Sequence, residues 1–351
     1  MPSRYSVALE RDSVGKLLRA RVGVPIIDDY LRYLAAIGRA QTTWSSYAYD
    51  LAVFCRWLGN QHPDDDIEEL LRNLTAAQVF AFVEDEFTPH DDRPPLAHTT
   101  VYRRIVALAK FFDWAEVIGT VNRNPVPRER PRGAFARGQE RRSAFVRVPH
   151  PLPRPAPADE LESFSDSLLT WRDRALVSLL VGAGLRLSEA LGLRLRDLDW
   201  GGKQVFVRRG KGGRQRYAMV PDPAWAALKA YLDAERPDPE GDEQEAAEAP
   251  VFVSLHGPRR GQPLSAAGVQ SIFRHHRAKA RTPNVTPHRL RHTCGTELHR
   301  AGLALEFIQE QLGHRRLDST RLYVYLSNER LRQAYLAIQP RLYRDMATEE
   351  D

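Results

Sequence analysis

The segment "NPVPRERPRGAFARGQERRSAFVRVPHPLPRP", Asn124 to Pro155, sets the first limit on how this chain folds. It carries eight arginines against two glutamates and is dense in proline. Proline withholds backbone donors and like charges repel, so the stretch cannot assemble a core of its own and reads as an extended linker. The 351 residues therefore form two bodies, one on each side of it. We place a helical domain at 24–123 and a larger domain at 157–341, with an extension at 1–23, the linker at 124–156 and a tail at 342–351. Hydrophobic residues, 42% of the chain, supply both cores.

The linker's excess of six positive charges equals the net charge of the whole chain, +6, and the sequence pI is about 9.4. Such a balance points to a polyanion, most simply nucleic acid. The two cysteines, Cys55 and Cys294, are far apart and sit in apolar helical patterns, which excludes a disulfide framework and a cysteine zinc site. No apolar signal core opens the chain and no stretch of eighteen uncharged apolar residues occurs, so a soluble, cytoplasmic protein is expected.

Residues 24–120 read as about four helices without a strand. Pro25 opens the first and Gly38 closes it; Trp44, Tyr47, Leu51, Phe54 and Leu58 recur at three and four in the second. Thr75 caps the third, and the fourth, "HTTVYRRIVALAKFFDWAEVIG", ends at Gly119. Its Arg103, Arg104 and Lys110 are candidate phosphate contacts, as are Arg137, Arg141 and Arg142 of the linker. Beyond residue 157 the pattern becomes mixed. "WRDRALVSLLVGAG" reads as a helix, "LSEALGL" as a short one capped by Ser188, and "KQVFVRRGKGGRQRYAMVP" as a hairpin. Residues 233–248, with eight acids and one arginine, read as a mobile surface loop, and "PVFVSL" as one more strand.

Chemistry-bearing residues collect at turns and helix ends. "TPHRLRHTCGTEL" opens a helix with Thr286 as cap and Pro287 in the first position, and His288 and Arg291 share one face. A helix start favours an anion. Arg186 follows a Gly-Ala-Gly turn, Lys211 sits at the hairpin tip, His314 follows Gly313, and Tyr323 lies nine residues further on. His288 and His292 are spaced like half of a zinc site, but position 289 is Arg rather than Glu and no carboxylate ligand is evident. "GKGG" lacks the spacing and the Ser or Thr of a phosphate-binding P-loop.

These pieces, in order, resemble the tyrosine recombinases, the phage-integrase family. The carriers are "GLRLSEALGLRLRDLD" with Arg186 and Glu189, "GKGGRQRYAMVP" with Lys211, "TPHRLRHTCGTEL" with His288 and Arg291, and "LGHRRLDSTRLYVY" with His314 and Tyr323. Residues 25–125 resemble the family's helical, SAM-like core-binding domain, including Asn124–Pro125 after its last helix. The implied fold is an all-α domain plus a mainly α, α+β catalytic domain with a small sheet. The implied activity is site-specific cutting and rejoining of double-stranded DNA through a 3′-phosphotyrosine on Tyr323. Arg186, Arg291 and His314 would hold the phosphate, His288 would act as base, Lys211 as acid, and Glu189 would orient a neighbour. Two arginines, a lysine and two histidines neutralise charge as metals do in nucleases, so no metal or cofactor is implied. The resemblance further implies a homotetramer in the synapse, a monomer or dimer when free, and accessory proteins in some systems. Two other readings use the same residues: a topoisomerase-like or telomere-resolving enzyme, and a DNA-binding accessory subunit without activity.

Overall fold

A computed structural model describes residues 5–11, 17–90, 94–127, 146, 155–208 and 215–313. The chain divides into two compact units, Met1–His150 and Pro151–Asp351.

The first unit opens with an antiparallel hairpin, β1 (Ala8–Arg11) and β2 (Leu17–Arg21), followed by α1 (Pro25–Ala36), α2 (Gln41–Gln61), α3 (Ile67–Arg72), α4 (Ala76–Phe87) and α5 (His98–Val117). The hairpin was not legible in residues 1–23, yet Leu17, Ala20 and Val22 are buried in the same core as the helices. Pro25 starts α1, where its missing N–H costs nothing, and a reciprocal capping box between Thr75 and Gln78 starts α4. The periodic apolar positions face inward: Trp44, Leu51, Phe54 and Leu58 from α2 meet Phe82 from α4 and Ile105, Leu108, Phe111 and Phe112 from α5. Phe54 and Phe82 pack edge to face with centroids 5.0 Å apart, a favoured aromatic geometry. The fifth helix, α3, had merged with a loop in the sequence pattern; Asp66 caps it by accepting from the Glu69 amide. Asn124 ends this unit's last turn, its side chain donating to Ala109 O and Asp113 Oδ1, each at 2.9 Å.

Among the described residues of this unit two carboxylates are buried, Asp50 and Glu86, and arginines of α5 satisfy both. Arg103 donates to Asp50 and, at 2.8 Å, to Ser46 Oγ, with about half of its side chain exposed. Arg104 donates to Glu86 and is largely buried, so this cation serves the fold. Lys110 lies 3.6 Å from Asp113 on the surface.

In the second unit, α6 (Ala158–Ser167) and α7 (Trp171–Gly182) lead to α8 (Leu187–Leu191). A single 3-10 turn then enters a three-stranded antiparallel sheet, β3 (Leu198–Asp199), β4 (Gln204–Val207) and β5 (Arg216–Met219), in that order across the sheet. After it come α9 (Asp222–Ala234), α10 (Glu243–Glu248), α11 (Ala266–Ala280), α12 (Pro287–Arg300) and α13 (Leu305–Leu312). Helix α7 is the core element: Ala175, Leu176, Leu179 and Leu180 are buried, and α9 and α12 pack against it. Three sequence expectations are corrected. The acidic stretch is not all loop: Asp242 and Glu245 form a capping box that starts α10, whose Glu248 pairs with Arg194 and Arg196. "PVFVSL" forms isolated bridges, Arg194 with Pro250 and Val253 with Pro263, rather than a strand. The cap of α8 is Arg186, not Ser188, because Glu189 in the third helical position reaches back to the Arg186 amide.

Candidate active site

Three arginines from three elements converge on one buried carboxylate. Glu189 of α8 accepts from the Arg186 amide at 2.9 Å through Oε2 and from Arg186 Nη1 at 2.6 Å through Oε1. Arg216, the first residue of β5, adds a two-pronged contact: Nη1 to Oε1 at 3.1 Å and Nη2 to Oε2 at 2.9 Å. Arg291 of α12 brings Nη1 to 3.7 Å from Oε2. The Glu189 side chain is 1% exposed. Burial raises its carboxyl pKa, but hydrogen bonds and charge from Arg216 and Arg186 outweigh that and hold it below the usual carboxylate range.

The same arginines cap the end of α13. Arg216 Nε donates to Gln311 O at 3.0 Å, Arg291 Nη2 to Leu312 O, and Arg186 Nη2 to Gly313 O at 3.0 Å. These are three successive carbonyls at a helix C-terminus, where partners are missing and partial negative charge collects. Arg291 Nη1 also donates to Gly184 O at 2.5 Å. The Gln311 amide ties in the sheet: Nε2 donates to Met219 O at 2.9 Å and Oε1 accepts from the Met219 amide at 3.0 Å. Gly184, the second glycine of the turn before Arg186, lets α13 approach. Its φ is +65°, and a Cβ there would stand 2.4 Å from Leu312 Cδ2 and 3.0 Å from Cys294 Sγ.

Helix α12 begins as its sequence implies. Thr286 Oγ1 accepts from the Arg289 amide at 3.2 Å, and Pro287 occupies the first turn. His288 is exposed at this helix start, while Arg291, one turn on, is buried in the carboxylate cluster. His288 Nε2 and His292 Nε2 are 2.9 Å apart, with the rings at right angles. Partial burial of its ring against His292, then the charges of Arg291 and Arg186, lowers the His288 pKa. Burial, His288 and Arg291 push His292 down to about 4.

Of the six polar residues expected to form the site, Arg186, His288 and Arg291 are thus gathered at one place, with Glu189 beneath them. Lys211, His314 and Tyr323 lie outside the described residues, as do Arg137, Arg141 and Arg142. Arg216 was not singled out in the sequence. A signal was present: in β5 it shares a face with buried Ala218 and Val220, while Tyr217 and Met219 point out. An arginine on the inward face of a strand needs a buried anion.

Residues 156–330 match the Phage integrase family, and residues 27–117 match its N-terminal SAM-like domain. Tyrosine recombinase XerC of Oceanobacillus iheyensis is 31% identical over 327 residues, 90% of this chain and 96% of that protein. XerC of Xanthomonas axonopodis pv. citri is 29% identical over 329 residues, 92% and 99% of the two chains. Among solved structures, the Tn1549 transposon integrase in complex with circular intermediate DNA superposes with a TM-score of 0.60 at 18% identity, covering 85% of this chain and 94% of that one. A lambda integrase dimer bound to a core site gives the same TM-score, identity and coverages.

Proposed function

The chain belongs to the phage integrase family: it is a tyrosine recombinase, cutting and rejoining DNA through a 3′-phosphotyrosyl intermediate, and from that premise we propose which of its residues carry each step. Tyr323 attacks the scissile phosphorus and the 5′-oxygen of the DNA leaves. The bond energy is kept in the phosphotyrosine, so rejoining needs no external energy source. A phenol with a pKa near 10 is a weak nucleophile at neutral pH. His288, kept neutral by its surroundings, takes its proton. Arg186 and Arg291 hold the two non-bridging oxygens as negative charge grows there, since a guanidinium stays protonated and offers a fork of donors. His314 donates one further hydrogen bond. Losing one such donor typically costs about 3–4 kcal/mol of barrier. Lys211 protonates the leaving oxygen.

The observation that best supports this reading is the convergence of Arg186 and Arg291 on Glu189, beside His288 at the start of α12. Double-stranded DNA is the partner, and we further propose that the chain works as a homotetramer on two paired sites, monomeric or dimeric when free, with accessory proteins where its sites demand them. Arg103, Lys110 and the linker arginines would contact backbone phosphates.

A nicked duplex that loses its short 5′ fragment after cleavage traps the covalent complex. Wild-type protein should form an adduct that survives denaturant. Tyr323→Phe should form none while binding DNA as tightly, and Tyr325→Phe should still form it. An adduct lost with Tyr325 and kept without Tyr323 would overturn the assignment of the nucleophile.

A further inference from the structure

Arg216 stands outside the phosphate-holding pair, yet it makes the most complete contact with Glu189. Its two terminal nitrogens take both carboxylate oxygens, at 3.1 Å and 2.9 Å, and its Nε takes the Gln311 carbonyl at 3.0 Å. All three nitrogens of the guanidinium are thereby used inside the protein. Its side chain is 9% exposed, between Arg291 at 6% and Arg186 at 24%. With its whole fork on Glu189 and its Nε on α13, Arg216 is placed to act through its neighbours.

Charge accounts for that role. Three guanidinium groups around one carboxylate leave a residual charge of two positives. With Arg216 absent, the residual charge would be one, and Glu189, which already accepts from the Arg186 amide and Arg186 Nη1, would have room to draw in Arg291 Nη1 from 3.7 Å. Arg291 would then turn from the phosphate toward the carboxylate. A five-coordinate phosphorus flanked by two departing or arriving oxygens carries about two negative charges on its non-bridging oxygens, one more than the starting diester. A cluster with two residual positives matches that state, whereas one with a single positive matches only the diester. Preorganised charge of this kind acts on the transition state rather than on binding.

We infer that Arg216 is a positioning residue of the recombinase site: it occupies Glu189 so that the cluster keeps two positive charges and Arg291 stays placed for the scissile phosphate. The inference rests on the roles proposed above for Arg186 and Arg291.

The test uses the full-length chain. Wild-type protein first selects duplexes from a randomised pool by covalent capture in denaturant. Failure to capture any duplex would refute the functional reading itself. The captured duplex then serves for Arg216→Met, which removes the charge, and Arg216→Lys, which keeps the charge but loses the fork. Each is assayed on an ordinary scissile phosphate and on a methylphosphonate, in which one charged oxygen is replaced by a methyl group. Arg216→Met should bind within a few-fold of wild type but form the adduct roughly 100-fold more slowly on the phosphodiester, the scale of a misplaced site group. On the methylphosphonate, whose transition state carries one negative charge fewer, the deficit should shrink to within about threefold. Arg216→Lys should fall between wild type and Arg216→Met on the phosphodiester. An equal deficit on both substrates, or none on either, would overturn the inference. So would loss of folding and binding in both variants, which would make Arg216 a folding residue only.

Discussion

At the scale of single residues, the pair His288–His292 decides how the site responds to acid. With Nε2 atoms 2.9 Å apart, one ring donates and the other accepts, which requires that at least one be neutral. Both are biased that way: the His288 pKa lies below its ordinary 6.5 and that of His292 falls to about 4. Arg291 opposes protonation of both rings, and Arg186 that of His288. A base whose pKa is lowered stays available further into acid, so the midpoint of single-turnover adduct formation should lie below the ordinary imidazole value of about 6.5. A midpoint above that value would remove His288 from the role of base. For stability the sign is also fixed. Between the folded pKa of His292, about 4, and the unfolded value of 6.5, the unfolded chain binds more protons than the folded one. Stability contributed by the neutral ring is present above pH 6.5 and is lost as pH falls toward 4. Thermal midpoints measured across that window should drop for wild type and drop less for His292→Gln, which offers an amide nitrogen near the Nε2 position but cannot titrate. Equal slopes for the two proteins would show that His292 is not the group responsible.

At the scale of elements, α13 ends where three arginines meet, and the end depends on Gly313. Its φ is +63°, and a Cβ there would stand 2.9 Å from Arg216 Nη1. Gly313→Ala should combine left-handed strain of about 1 kcal/mol with displacement of a guanidinium that cannot easily move. Calorimetry should register a small loss of stability, and adduct formation should slow at least tenfold with DNA affinity retained. A variant that loses stability but cleaves at the wild-type rate would detach the end of α13 from the chemistry. Much of this layout was legible. The 3.6-residue repeats gave α1, α2, α4, α5 and α7, and Pro287 after Thr286 gave the start of α12. What was not legible shares a cause. The β1–β2 hairpin, α3 and α10 are short, and segments of four to six residues carry too few repeats to show a period. The site divided in the same way. Arg186, His288 and Arg291 stood in order along the sequence, whereas Arg216 becomes significant only when β5 is laid beside α8 and α13, a contact between residues 27 and 95 positions apart. Ser188 misled because a serine before a helix is a good cap in general, while here the third helical residue, Glu189, selected Arg186.

At the scale of the whole molecule, some arginines hold the protein together, and we propose that those of the linker meet DNA. Arg104 belongs to the first kind. It satisfies buried Glu86, and removing one partner of a buried pair commonly costs about 3–5 kcal/mol. The proposal for the linker rests on charge: it holds eight arginines and two glutamates, an excess equal to that of the entire chain. Each phosphate neutralised on duplex DNA releases counterions, so affinity falls with salt in proportion to the number of contacts, with a log–log slope near −0.9 per contact. Replacing Arg137, Arg141 and Arg142 by alanine removes up to three contacts. The slope should then fall in magnitude by up to about 3, equally for specific and random duplexes, because phosphates carry no sequence information. The thermal midpoint should not change, and the adduct rate at saturating DNA should stay near wild type. Arg104→Met should do the opposite, lowering the midpoint while leaving the slope intact. An unchanged slope in the triple variant would reduce the linker to a spacer, and a slope that changed on only one DNA sequence would mean that these arginines read bases rather than backbone.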